Sequence, residues 1–94
     1  MPVTAILIRH QDHVATLTGS VAAGDTVLIT GQGKPREIAA LSDMPAGHKL
    51  AIRPITQYEQ ILKYGEVIGE ATQDIAEGEH VHVHNCWGIK ARRN

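Results

Sequence analysis

The chain has 94 residues, a formal net charge of −1 from 9 Lys and Arg against 10 Asp and Glu, a single Cys and no Phe. That length supports one domain over residues 1–94, and the balanced, interspersed charge gives no electrostatic case for nucleic acid or an anionic membrane. No apolar run approaches the ~18 residues of a membrane span and no charged, then apolar leader opens the chain, so a cytoplasmic protein is expected. The lone Cys86 cannot form an internal disulfide, which agrees with a reducing compartment.

With one Trp and two Tyr, the core must come from Ile, Val, Leu and Ala. A thin core makes a homo-oligomer or a contact with another subunit plausible. In chain order, Val3 to Arg9 and Thr26 to Thr30 read as strands, the second ending at a Gly31-Gln32-Gly33 turn. With Lys34 that turn echoes a phosphate loop, but no helix follows and a hairpin turn is expected. The best helical candidate is Thr56 to Lys63, stopped by Tyr64-Gly65. The basic stretch Lys90-Ala91-Arg92-Arg93 reads as a solvated end.

A repeat is more informative than any one strand. Val21 to Val27, Met44 to Leu50 and Ile75 to Val81 share one pattern: apolar, two variable residues, Gly, two polar residues, apolar. Gly24, Gly47 and Gly78 would supply a positive φ where one extended segment ends and the next begins. Ile55 to Ile61 is a fourth copy with Tyr58 in the Gly position, where a remodelled turn is expected. Short strands separated by turns at irregular spacing argue for a compact all-β fold of bent hairpins rather than a solenoid.

His80, His82 and His84 alternate with Val81 and Val83. In a strand the three imidazoles would share one face and the valines the other, with same-face residues roughly 6.5 Å apart. Two such rings converge on an ion more easily than three. The alternative is that these histidines satisfy backbone or subunit hydrogen bonds.

Gly47 to Ile52, then Ile61 to Gly69 with Lys63-Tyr64-Gly65, then Gly78-Glu79-His80-Val81-His82-Val83-His84-Asn85 together resemble the altronate/galactarate dehydratase family. The order of the blocks is more specific than any one of them, and Asp12-His13-Val14-Ala15 resembles the family's opening segment more weakly. His13 and Tyr58 depart from the family's Asn and Gly. The resemblance implies a small β-clip (SAF-like) domain, found either at the head of a long enzyme or as a small subunit beside a large catalytic one. The start at Met1 favours the separate subunit. Sulfolactate sulfo-lyase, which eliminates sulfite rather than water, has a small subunit of similar pattern.

The chemistry so implied is elimination from a small sugar acid or sulfo-acid, with a divalent metal, Fe2+ by family likeness. Both the removal of the α proton and the departure of the β group build negative charge. His48 and His80 are the candidate proton-transfer groups, and His82 and His84 the candidate metal ligands. His48 follows the Gly of another repeat copy and would meet the same centre if the copies pack around it. Lys49, Arg53, Lys63 and Asn85 are candidate substrate-binding residues. The three cations could instead sit on solvated strand edges, and Asn85 in a turn. Lys49 should leave an ideal strand on the side opposite His48. Tyr64 reads as a core aromatic and Cys86 as incidental. The competing class is a non-catalytic module that binds carbohydrate or protein.

Overall fold

The structure, a computed structural model, describes residues 3–88; residues 90–93, the basic stretch, lie outside them. Nine strands occur: β1 (Val3–Ile6), β2 (Val14–Leu17), β3 (Thr26–Thr30), β4 (Arg36–Ala39), β5 (Lys49–Ala51), β6 (Gln60–Lys63), β7 (Glu66–Ala71), β8 (His80–Val81) and β9 (Cys86–Gly88). No helix occurs among the described residues, so the all-β expectation holds. Six strands form a mixed sheet in the order β4-β3-β1-β2-β5-β8, and three form an antiparallel sheet, β6-β7-β9. The single parallel pairing in these sheets is β1 with β3.

Two apolar clusters use opposite faces of the same central strands. On β2, Ala15 and Leu17 join the first cluster and Val14 the second; on β5, Leu50 joins the first and Ala51 the second. A strand packed on both faces cannot alternate apolar with polar, which is why Val14-Ala15 and Leu50-Ala51 read as unbroken apolar pairs. Met44 and Ile38 fill the first cluster, while Ile55, Ile61, Ile75 and Val81 fill the second.

The repeat copies organise this packing in pairs. Val21 and Met44 exchange backbone hydrogen bonds of 2.9 and 3.0 Å, and Ile55 and Ile75 exchange two of 2.8 Å. Each copy then turns with a left-handed residue at its fourth position: Gly24 (φ 90°), Gly47 (83°), Gly78 (88°) and Tyr58 (74°). The closing N–H to C=O bond across the turn is present in all four, Asp25 to Ala22, His48 to Pro45, Glu79 to Ala76 and Glu59 to Thr56. This is the geometry of a type II turn.

Two expectations are thereby corrected. The copy at Ile55 keeps the turn: Tyr58 takes the positive φ with its ring 69% exposed, and its N–H bonds Ala71 at 2.8 Å. The helix expected over Thr56 to Lys63 is this turn followed by β6, because a left-handed residue at Tyr58 ends any helical run. The pairing of Ile55 with Ile75 and of β6 with β7 overrides the local propensity. The β1 strand is also shorter than expected, ending at Ile6, while Thr26–Thr30 coincides with β3.

A buried polar centre joins the two sheets. The β6–β7 hairpin turns at Tyr64 (φ 58°) and Gly65 (φ 74°), the two-residue turn with positive φ at both positions. The Asp12 side chain, 0% exposed, accepts the N–H of Tyr64 (2.8 Å), Gly65 (2.8 Å) and Arg9 (3.1 Å). Tyr64 itself is exposed rather than in the core, with the Lys63 ammonium 4.8 Å from its ring centroid. Beside Asp12, His13 is buried; its Nδ1 accepts the Leu62 N–H at 2.9 Å and its Nε2 lies 3.0 Å from Glu59 Oε2. The β6–β7 register shifts at Ile61/Leu62, where His13 takes the Leu62 amide.

Candidate functional site: a histidine cluster beside a two-lysine cleft

Antiparallel pairing of β5 with β8 sets the site. The register matches Leu50 with His80 and Lys49 with Val81, so the next step outward sets His48 opposite His82. Those two rings lie 4.6 Å apart between centroids. His48 Nδ1 is 2.9 Å from His80 Nε2, so one ring nitrogen carries the proton and the other receives it. His80 and His82 stack at 5.3 Å with ring planes only 8° apart. One donor nitrogen from each of His48, His80 and His82 lies within 4.8 Å of the others.

The strand expected through His84 stops early, for a physical reason in Asn85. Its side-chain oxygen accepts the His82 N–H (3.0 Å), its amide donates to the His80 carbonyl (2.8 Å) and to Glu79 Oε2 (3.3 Å). The backbone closes the same loop through Asn85 and Cys86 N–H bonds to the His82 carbonyl, at 3.1 and 2.9 Å. Residues 82–85 therefore form a turn, β8 is only two residues long, and Val83, expected to pack opposite the histidines, is 81% exposed. The turn folds His82 back against His80 and His48, while His84, exposed, reaches only the His80 ring at 5.6 Å.

Burial lowers the His80 pKa, with added repulsion from His48, His82, His84 and Lys49. The same causes, partial loss of water first, then His48, Lys49 and His84, lower that of His82. At His80 and His82 this favours the neutral imidazole, the form that binds a metal ion or accepts a proton. Its donor set suits a borderline divalent ion, and the separations are close to those that a shared ion requires. The nearly parallel planes of His80 and His82 cannot both contain that ion, so seating it requires one ring to turn.

Lys49 leaves β5 on the side away from His48, as alternation requires. It meets Lys63, His82, Ile68 and Cys86 around an open cleft of about 310 Å³. His82 stands between the two features, its ring tilted against that of His48 and lining the lysine cleft. Loss of water raises the Cys86 thiol pKa in spite of Lys49, so it is kept as an unreactive thiol.

The remaining candidates fall elsewhere. Arg53 donates to the carbonyls of Asp12 (2.9 Å) and His10 (3.3 Å) and lines a separate cleft with Lys34 and Arg36. Asn85 is wholly buried with both ends of its amide engaged, so its part is to shape the histidine loop. Sequence reasoning passed over Asp12 and underrated His13. The signal available for Asp12 was an acid just before an apolar run, but its main partners, the Tyr64 and Gly65 N–H groups, lie more than fifty residues away in sequence and leave no local trace.

An all-β module that presents a histidine cluster beside a two-lysine cleft is the class of protein that fold and site define. Residues 3–88 match the altronate/galactarate dehydratase SAF domain, and the chain belongs to that family. It is 39% identical over 80 residues to altronate dehydratase of Bacillus subtilis, covering 85% of this chain but 15% of that enzyme. It is also 40% identical over 65 residues to the (2R)-sulfolactate sulfo-lyase subunit alpha of Chromohalobacter salexigens, covering 69% of this chain and 66% of that protein. With the same subunit from Paracoccus pantotrophus the identity is 36% over 59 residues, covering 63% of this chain and 88% of that protein.

Proposed function

We propose that this chain is the small subunit of a two-subunit cytoplasmic lyase that eliminates water from a 2,3-dihydroxy sugar acid, or sulfite from a sulfo-acid, and that a large subunit completes the site. The observation that carries the reading is the convergence of His48, His80 and His82 beside Lys49 and Lys63. The similarity to (2R)-sulfolactate sulfo-lyase alpha subunits supports the subunit reading.

In this reading His48, His80 and His82 would hold a divalent cation, Fe2+ by family likeness, and such an ion would supply Lewis-acid stabilisation of negative charge on a substrate carboxylate. The two ammonium groups of Lys49 and Lys63 draw the acid's carboxylate or sulfonate into the cleft as point charges. His84, exposed at the rim and against the His80 ring, is placed to move a proton between the site and solvent. Asn85 fixes the loop that carries His82 and His84. Neutral imidazoles suit both proton acceptance and ligation at neutral pH.

The test is to purify the tagged chain from its native organism, identify what comes with it by mass and measure its metal content. The isolated complex is then assayed for water loss from sugar acids and sulfite release from sulfolactate. A large subunit with bound divalent metal and one of these activities, lost in His80→Ala, supports the reading. Recovery of the chain alone, metal-free and inactive, contradicts it in favour of a binding module.

A further inference from the structure

Three of the four repeat turns carry the same side-chain brace. The residue after the left-handed position is an acid, and its carboxylate folds back to accept the N–H of the turn's first residue. Asp25 does so to Ala22 at 2.8 Å, Glu59 to Thr56 at 2.9 Å and Glu79 to Ala76 at 2.9 Å. The fourth turn breaks the pattern at both ends together. Its first residue is Pro45, which has no N–H, and the residue in the acid position is His48. The backbone is otherwise the same: Gly47 has φ 83° against 90°, 74° and 88° in the others, and His48 N–H closes the turn on the Pro45 carbonyl at 3.3 Å.

We infer that Pro45 is a positioning residue: by removing the backbone donor that this turn would otherwise present, it releases position 48 from bracing the scaffold and leaves the His48 Nδ1 free for the histidine cluster. The inference rests on reading His48, His80 and His82 as one ligand set. In the braced copies, the side-chain acceptor at this position is turned inward onto its own turn. In the Pro45 copy the corresponding side-chain atom, His48 Nδ1, lies 2.9 Å from His80 Nε2 instead. An imidazole nitrogen can accept a backbone N–H, as His13 Nδ1 does from Leu62 in this same chain, so a donor at position 45 would compete for the atom that the cluster uses. The exchange has a direction: proline offers nothing to brace, so a carboxylate at position 48 would gain no turn bond, and the site can be occupied by a functional side chain at no structural loss. The turn is thus specialised by a pair of linked residues and not by His48 alone.

Two measurements test this. The first uses metal-free protein with chelator and compares the thermal unfolding of Pro45→Ala, His48→Asp and the double variant. The double variant rebuilds the fourth brace, so it is expected to melt about 4 °C or more above the sum of the single effects. Additive effects of the two substitutions overturn the assignment. The second follows Co2+ binding by visible absorption and the His48 ring nitrogens by 15N NMR. Pro45→Ala is expected to weaken Co2+ binding about fivefold, with the His48 Nδ1 resonance moving as that of an acceptor from a backbone N–H. A folded Pro45→Ala protein with unchanged Co2+ affinity and an unchanged His48 spectrum overturns it. If the wild-type chain binds no Co2+, the ligand-set reading falls, and the melting cycle with the 15N shift still decides the role of Pro45.

Discussion

Two regions of this small domain hold histidine out of full contact with water, and they do so in opposite ways. His13 has both ring nitrogens committed, Nδ1 to the Leu62 N–H and Nε2 to Glu59, so its tautomer is fixed and its ring cannot turn. In the cluster, the single ring hydrogen bond among the described residues joins one histidine to another, His48 to His80, and His82 is stacked on His80. The first arrangement belongs to a scaffold, because every polar atom answers a backbone or side-chain partner. The second gathers imidazoles with few other partners, and at His80 and His82 loss of water, then repulsion from neighbouring rings and Lys49, lowers the affinity for protons. The contrast is between a histidine fixed by its partners and histidines whose rings meet mainly one another.

The contrast can be broken or sharpened by substitution. The largest effect is expected at Asp12, whose removal leaves three backbone N–H groups without their acceptor. Asp12→Ala should cost about 3 kcal/mol or more in urea unfolding. Asp12→Asn should keep part of that, and the histidine cluster should still bind Co2+ in whichever variant folds.

His13→Ala comes next, at about 2 kcal/mol, since the buried Leu62 N–H loses its partner. His48→Ala in the metal-free chain should cost less than about 1 kcal/mol, yet weaken Co2+ binding at least about tenfold. Equal stability losses for His13→Ala and His48→Ala would erase the distinction between the two regions.

The pH response should track the cluster. His80 and His82 have folded-state pKa values below the ordinary 6.5, so on acidification the unfolded chain takes up protons before the folded one does. Their contribution is therefore fully present above that value and is lost as pH falls below it towards the folded-state values. Denaturation midpoints measured across this range should fall with pH, and the slope should flatten in His80→Ala/His82→Ala. Glu59 acts in a lower window. The Thr56 N–H, and then His13, hold its carboxyl below 4.5, so its share is lost only as pH falls below that. The smallest effect is expected at Tyr58, where the side chain is exposed and only backbone strain is at stake. Tyr58→Gly should stabilise the chain by only about 0.5 kcal/mol, the relieved strain being partly offset by the entropy of Gly, with no change in metal binding.

Much of the scaffold was legible because it repeats. Three copies of the Gly turn were visible in the sequence, and β3 stands between the bounds its residues suggest. The fourth turn was misjudged because a Tyr at the left-handed position outweighed three matching neighbours, whereas the pairing of Ile55 with Ile75 imposes the turn on it. At the site, His48, His80 and His82 could be singled out from the sequence and the fold brings them together, but the alternation of the histidine block predicted a strand through His84. What bent it is the buried Asn85 amide, a contact between near neighbours that periodicity does not register. Arg53 reads as a neighbour of the signature, yet the end of β1 and the β3–β4 hairpin draw it into another cleft, and such non-local meetings leave no trace in spacing.

The central claim is that three imidazoles, two of them from repeat copies and one just after, act as one ligand set while His13 does not. The most direct measurement is a Zn2+ titration of the intact chain followed by the imidazole 15N and 1H resonances of all histidines. The account predicts that His48, His80 and His82 respond together and saturate at one equivalent of metal, with His13 unmoved. Shifts that appear at His82 and His84 without His48, or that spread over all histidines without saturation, would contradict it.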